Sequence, residues 1–279
     1  MNYDAKMSPR AVQMRKETQK FIESIEGPLI PHINATTWPD WVFPGIKKLG
    51  VNGLTVKDFG GPGLTTLEAG SIIYEMAKID GSVAMSFLVH NCLGMAVINE
   101  LCSEAQRARL MPQLLSLEKT ISFGLTEPAG GSDASNPLTT AVKVEGGYRL
   151  TGQKRWIGNA TFADYITVWA KNTSEGGLVQ GFIVTKGSAG LRTDKMQLKM
   201  SCRMTQNTDI YMDNVFVPDD MRLVKAKDFK SGTNAILRTS RLQVAFWCAG
   251  LMAGSYEAAL NYCLAREQFD RPLAKFQLI

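Results

Sequence analysis

The chain changes texture twice, and that alternation limits its fold more than any single residue does. Residues 1–119 carry helical signals, residues 120–224 break into short β-prone pieces, and residues 225–279 return to helical periodicity. A run of strands between two runs of helices implies an α+β chain. We read it as an N-terminal helical domain, a middle small antiparallel β-barrel or sandwich, and a C-terminal helical domain.

Local signals support that division. Ser8-Pro9 suits a helix start, with Ser as N-cap and Pro in the first turn, and Gly27-Pro28 predicts its end. Thr65-Thr-Leu-Glu68 and Ser103-Glu-Ala-Gln106 fit the capping box, in which two side chains satisfy each other's backbone amides. The stretch Val83 to Leu101 is apolar almost all round, which predicts a helix buried on most sides. Gly60-Gly-Pro-Gly63 lacks the Gly-Lys-Ser/Thr of a phosphate loop and reads as a turn.

In the middle, Thr140 to Val144 and Tyr148 to Thr151 flank Glu145-Gly-Gly147 as a hairpin. Tyr165 to Trp169, Gly181 to Val184 and Asp209 to Met212 continue the β pattern. Asp213-Asn214 precedes Val215 to Val217, and Pro218 marks the exit. After a polar connector at Lys225 to Thr233, Cys248, Met252, Tyr256, Ala259 and Cys263 recur at three- and four-residue spacing, a stripe that core packing explains. Gly250 and Gly254, one turn apart, allow a neighbouring helix to come close. Phe269-Asp-Arg-Pro-Leu-Ala breaks the helix.

Bulk properties narrow the function. Hydrophobic residues make up 45% and charged residues 20%, the composition of an ordinary globular protein. The formal charge of +5 is spread along the chain without basic–aromatic clusters, which argues against nucleic acid. Five scattered cysteines, no Cys-x-x-Cys and two histidines support neither a disulfide framework nor a zinc site, and point to a reducing compartment. No signal-peptide pattern opens the chain and no uninterrupted apolar run approaches membrane-spanning length, so the reading is neither secreted nor membrane-spanning.

Two segments carry the chemistry: Phe123-Gly-Leu-Thr-Glu-Pro-Ala-Gly-Gly-Ser-Asp133 and Gly152-Gln-Lys-Arg-Trp-Ile-Gly-Asn159. With Val215-Phe-Val-Pro218, the region of Arg241, and Arg266-Glu-Gln-Phe269 with Gln277, they resemble the acyl-CoA dehydrogenase and oxidase family. The likeness is greatest to plant-type peroxisomal short-chain acyl-CoA oxidases and glutaryl-CoA dehydrogenases. It implies FAD as cofactor, an acyl-CoA substrate, a homodimer or homotetramer, and O2 or an electron-transfer flavoprotein as acceptor. A peroxisome or mitochondrial matrix is implied for a eukaryotic source and the cytoplasm for a bacterial one. The resemblance also implies that Ile279 falls inside the C-terminal helical domain, so that this domain is incomplete.

Residue by residue, the resemblance implies that main-chain groups at Leu125 and Thr126, beside Phe123, meet the flavin ring. Gly131 and Ser132 match positions close to cofactor and acyl-CoA, and Trp156 matches an aromatic beside the flavin with Ile157 and Gly158 adjacent. Arg266, Gln268, Phe269 and Gln277 match residues that reach the FAD of a neighbouring subunit. Many family dehydrogenases have Thr where Gly158 stands, near the flavin atom that receives the hydride. Its absence leaves room for O2, which is the oxidase reading.

The reaction implied is α,β-dehydrogenation of a thioester, in which a carboxylate removes the α-proton. In most of the family that carboxylate is a Glu past Ile279; a minority place it one residue before the Arg matched by Arg241, where this chain has Ser240. No base is therefore expected within these residues. Glu127 belongs to the cofactor-loop signature. Arg241 matches a substrate-side Arg near the thioester. Ala84 stands where glutaryl-CoA dehydrogenases hold a distal carboxylate with Arg, so an unsubstituted, short acyl chain is expected. Two alternatives remain open: a flavin- or CoA-binding protein without turnover, and a related flavoenzyme acting on nitroalkanes or other carbon acids.

Overall fold

The structure, a computed structural model, describes residues 3–277. Ile279 lies outside the described residues. Helix α1 (Pro9–Ala35) begins as expected, with the Ser8 hydroxyl accepting from the Ala11 amide at 3.2 Å. It does not stop at Gly27-Pro28. Ile22, Ile25 and Leu29 form one buried face through that point, and packing of this face sustains the helix despite the amides missing at Pro28 and Pro31. The helix ends instead at Thr36, in the left-handed conformation with φ 56°.

After α2 (Val42–Lys48), helix α3 (Thr66–Ile79) opens with the expected capping box. Its Glu68 serves two helices. One carboxylate oxygen accepts from the Ser8 amide (2.8 Å) and hydroxyl (2.7 Å), the other from the Thr65 amide (2.9 Å). The second capping box starts α6 (Glu104–Leu115). Between them runs the apolar stretch: α4 (Gly81–Leu88), a π-helical segment at Val89–Met95, and α5 (Ala96–Leu101). By length and composition Gly81–Leu101 is apolar enough to cross a membrane, contrary to the reading above, but 72% of its apolar window is buried within the fold. It is a core helix.

The β layer is a seven-stranded sheet in the order β1-β4-β2-β3-β7-β6, with β5 on the other edge of β4. The strands are β1 (Ile121–Gly124), β2 (Thr140–Val144), β3 (Gly147–Ile157), β4 (Tyr165–Asn172), β5 (Leu178–Thr185), β6 (Leu191–Lys195) and β7 (Thr208–Pro218). The sheet is mixed rather than wholly antiparallel. β1 and β2 both run parallel to β4, at Ile121↔Tyr165 and Thr140↔Lys171, and succeed one another along one of its edges. The hairpin β2–β3 forms as expected, and β7 passes unbroken through Asp213-Asn214, where Asn214 takes φ 50°.

Helix α7 (Ala235–Ala265) closes the fold, followed by the short pair β8 (Glu267–Gln268) and β9 (Arg271–Pro272). Here the stripe differs from expectation. Cys248, Met252, Tyr256 and Ala259 are exposed, Met252 at 73% and Tyr256 at 66%, and Cys263 is half-buried. The face packed on α3 is the glycine face: a Cβ at Gly250 would collide with the Tyr74 carbonyl, and one at Gly254 with that of Lys78. Backbone approach therefore decides which face is buried. Between helices and sheet, one apolar cluster joins Ile98, Met111 and Leu114 to Ile121, Trp169 and Ile183. The cavity described next opens beside this seam.

Candidate functional site

A cavity of about 280 Å³ lies where the π-helical segment meets β1 and the end of β3. Met85, Val89 and Leu93 form one wall, Phe123, Leu125 and Thr126 the second. Trp156, Ile157 and Gly158 form the third, and Thr205, Asn207 and Leu237 complete the rim. Six of the residues singled out from sequence (Phe123, Leu125, Thr126, Trp156, Ile157 and Gly158) are thus brought together. The other half of the lining was not foreseen.

Backbone contacts hold the two sequence motifs against each other. The Arg155 amide donates to the Thr126 carbonyl at 2.8 Å, and the Lys154 ammonium donates to the Leu125 carbonyl at 3.1 Å. The same ammonium reaches the Glu127 carboxylate at 2.8 Å, both side chains being buried. Glu127 also accepts from the Thr139 hydroxyl (2.6 Å) and from the amides of Leu138 (2.6 Å) and Thr139 (3.0 Å). Burial pushes the Glu127 carboxyl upward, but the bonds from Lys154 and Thr139 outweigh it and hold the group below the usual carboxylate range. A carboxylate so fully engaged is a clamp for the loop. Its Oε1 takes three of these bonds and its Oε2 the one from the Leu138 amide.

Trp156 is 54% exposed and adopts φ 64°, unusual for an aromatic residue. Its carbonyl accepts from the Asn207 side-chain amide at 3.0 Å. Asn207 is held in turn by the Lys199 ammonium, which donates to its side-chain oxygen and to the carbonyls of Cys202 (2.7 Å) and Thr205 (2.6 Å). Gly158 keeps the third wall thin: a Cβ there would stand 3.1 Å from Val89 Cγ2 and 3.8 Å from Thr205 Cγ2.

The remaining sequence candidates lie elsewhere. Gly131 and Ser132 are exposed just beyond the turn closed by paired backbone bonds between Glu127 and Gly130 (3.0 and 3.2 Å). They do not line the cavity; a second one, about 210 Å³, opens beside that turn between Leu125, Gly130 and Pro137. Arg241 is exposed one helical turn beyond Leu237, while Ser240 is buried and donates to the Leu237 carbonyl at 3.2 Å. Arg266, Gln268, Phe269 and Gln277 are all exposed beyond the end of α7, Phe269 at 88%, and none lines the cavity. Ala84 is buried in the helical core.

A mostly apolar cavity with the aromatics Phe123 and Trp156 on two walls and the polar groups of Thr126, Thr205 and Asn207 among its lining fits the flat ring of a flavin. Comparison with known proteins agrees. The acyl-CoA dehydrogenase N-terminal, middle and C-terminal domain models match residues 8–118, 122–215 and 230–279. An acyl-CoA dehydrogenase of Bacillus subtilis (strain 168) is 31% identical over 95% of this chain and 71% of its own length. The chain belongs to the acyl-CoA dehydrogenase family. A mitochondrial isovaleryl-CoA dehydrogenase of Arabidopsis thaliana is 30% identical over 96% of this family member and 67% of its own length. The crystal structure of a glutaryl-CoA dehydrogenase from Mycobacterium smegmatis in complex with FADH2 superposes with a TM-score of 0.92 at 26% identity, covering 99% of this chain and 71% of that one. Its fold of helical, curled-sheet and helical parts is therefore that of the family.

Sequence reasoning missed Met85, Val89, Leu93, Thr205, Asn207 and Leu237. The apolar run around Val89 announced a buried helix but not which of its faces lines a cavity. Thr205 and Asn207 sit in a loop whose shape depends on Lys199, and no local pattern marks them.

Proposed function

We propose that this chain binds FAD in the cavity between Val89 and Trp156 and serves α,β-dehydrogenation of short, unsubstituted acyl-CoA thioesters. The observation that carries the proposal is the convergence of both motif segments and the π-helical wall on one slot. Bound FAD supplies the ring that accepts the hydride. Val89, Leu93, Phe123 and Leu125 provide an apolar surface that excludes water, and Trp156 presents an aromatic beside it. Thr126 and main-chain groups at Leu125 are the hydrogen-bonding candidates for the ring edge. None of the residues lining the cavity is a carboxylate, so removal of the α-proton belongs to a group outside that lining.

The short-chain reading rests on Ala84, which offers a distal substrate carboxylate no compensating cation. O2 as acceptor rests on Gly158, which carries no side chain at the position where many family dehydrogenases have Thr. Gly131 is assigned to the cofactor, Ser132 to both cofactor and acyl-CoA, and Arg241 to the acyl-CoA side. Arg266, Gln268, Phe269 and Gln277, exposed and away from this cavity, suit contact with the cofactor of a second subunit in a homodimer or homotetramer. The names of the relatives, one mitochondrial and one bacterial, support a mitochondrial matrix or a bacterial cytoplasm; the peroxisomal alternative follows the oxidase reading.

The test is anaerobic mixing of the flavin-loaded protein with butyryl-CoA and with glutaryl-CoA. Bleaching of the flavin absorbance by butyryl-CoA, and much less by glutaryl-CoA, is expected. The carboxylate-free lining leaves one second reading, a flavin-binding protein without turnover. Flavin uptake with no bleaching by any acyl-CoA would select it.

A further inference from the structure

His90 is buried completely in the first turn of the π-helical segment, and nothing above assigns it a task. Its two ring nitrogens meet groups of opposite character. Nε2 lies 3.3 Å from the Leu114 carbonyl, which can only accept; Nδ1 lies 3.3 Å from the Ile121 amide, which can only donate. Both bonds form with one species alone, the neutral imidazole carrying its proton on Nε2. The imidazole thereby joins the end of α6, the π segment and β1.

That junction stands directly behind the cavity. Val89 and Leu93, on the same segment, form its first wall; Phe123, two residues along β1 from Ile121 and so on the same strand face, forms its second. The approach is close: a Cβ at Gly94 would collide with the Ile121 side chain and crowd its carbonyl at 3.1 Å. The π geometry also matters. In an α-helix each four-residue step drifts about 40° around the axis. The wider turn over Val89–Met95 reverses that drift, so that Leu93 shares a wall with Met85 and Val89. Asn91 secures the segment on its other side, accepting from the Gly53 amide at 2.5 Å and donating to the Phe87 carbonyl at 3.1 Å.

We propose that His90 is a positioning residue for the ring-binding slot: its imidazole sets the spacing between the Val89/Leu93 wall and the Phe123 wall. The inference rests on the flavin reading above. It assigns His90 no contact with cofactor or substrate.

The experiment compares His90→Leu and His90→Gln in the full chain. Glutamine carries one acceptor and one donor and can restore both bonds; leucine leaves the Ile121 amide unpaired, whereas the Leu114 carbonyl keeps its bonds from the Asn52 side-chain amide (2.7 Å) and the Leu117 amide (3.1 Å). The readouts are the FAD dissociation constant, the visible spectrum of bound flavin, and 15N NMR of the parent's His90. We expect His90→Leu to weaken FAD binding by about tenfold or more, from two lost buried bonds, and His90→Gln by no more than about threefold. We also expect the NMR signal of the Nε2–H tautomer at neutral pH. A folded His90→Leu that binds FAD like the parent, with the same flavin spectrum, overturns the proposal alone. So does an Nδ1–H tautomer, or a glutamine variant as weak as leucine. If His90→Leu fails to fold, the glutamine variant and the tautomer still decide. A parent that takes up no flavin overturns this inference and the flavin reading together.

Discussion

The side chain of Asn207 donates to the carbonyl of Trp156 at 3.0 Å, fixing the one cavity-lining aromatic that sits in a left-handed backbone conformation. Such a conformation costs on the order of 1–3 kcal/mol for a residue other than glycine and persists where surrounding contacts hold it. Asn207→Ala removes the tie, and with it one of the three partners of Lys199. We expect FAD affinity to fall by about five- to tenfold, equivalent to roughly one hydrogen bond. Flavin fluorescence titration measures it. Affinity equal to the parent's would mean that Trp156 is held by other contacts.

Lys154→Met tests the clamp on the motif loop. Glu127 would keep its three other donors but lose its only cation, leaving a buried charge poorly compensated. Breaking one side of a buried pair costs about 3–5 kcal/mol. Urea denaturation should show a loss of that order, and a loss below about 1 kcal/mol would refute the clamp.

The pH dependence of stability should carry the mark of His90. Burial lowers its pKa from the usual 6.5 to about 4, a shift that the Leu114 carbonyl and the Asp164 carboxylate oppose only in part. As pH falls, the unfolded chain takes up this proton first. The stability contributed by the neutral imidazole is therefore complete above about 6.5 and is lost between there and about 4. Thermal melts of the parent and of His90→Gln should diverge across that window. Parallel curves would contradict the assignment.

Much of this was legible in the sequence where a signal is local. The capping residues Ser8, Thr65 and Ser103 marked their helix starts because capping depends on a few neighbouring atoms. The motif residues Phe123, Leu125 and Thr126 and those from Trp156 to Gly158 line one cavity. What failed was decided at a distance. Pro28 is a helix breaker by local chemistry, yet the buried face around Ile25 and Leu29 carries α1 past it. The Met252/Tyr256 stripe has core periodicity, yet Gly250 and Gly254 turned the other face inward. Asn207 and His90 have no sequence signature, since their partners lie 51 and 31 or fewer residues away.

Gly158→Thr addresses the acceptor. The added side chain would enter the gap beside Val89, where even a Cβ comes within 3.1 Å. In stopped-flow experiments it should slow reoxidation of reduced flavin by O2 more than it slows reduction by acyl-CoA. A parent protein with negligible oxygen reactivity would favour an electron-transfer flavoprotein as partner.

Whether the slot beside Trp156 holds FAD is decided by equilibrium titration of the purified protein with FAD. Saturable uptake with a yellow product is expected, and weaker binding in Trp156→Ala by about 1 kcal/mol or more from the lost aromatic contact. Because Trp156 is half-exposed, that variant should melt close to the parent. A folded parent that takes up no flavin would contradict the account.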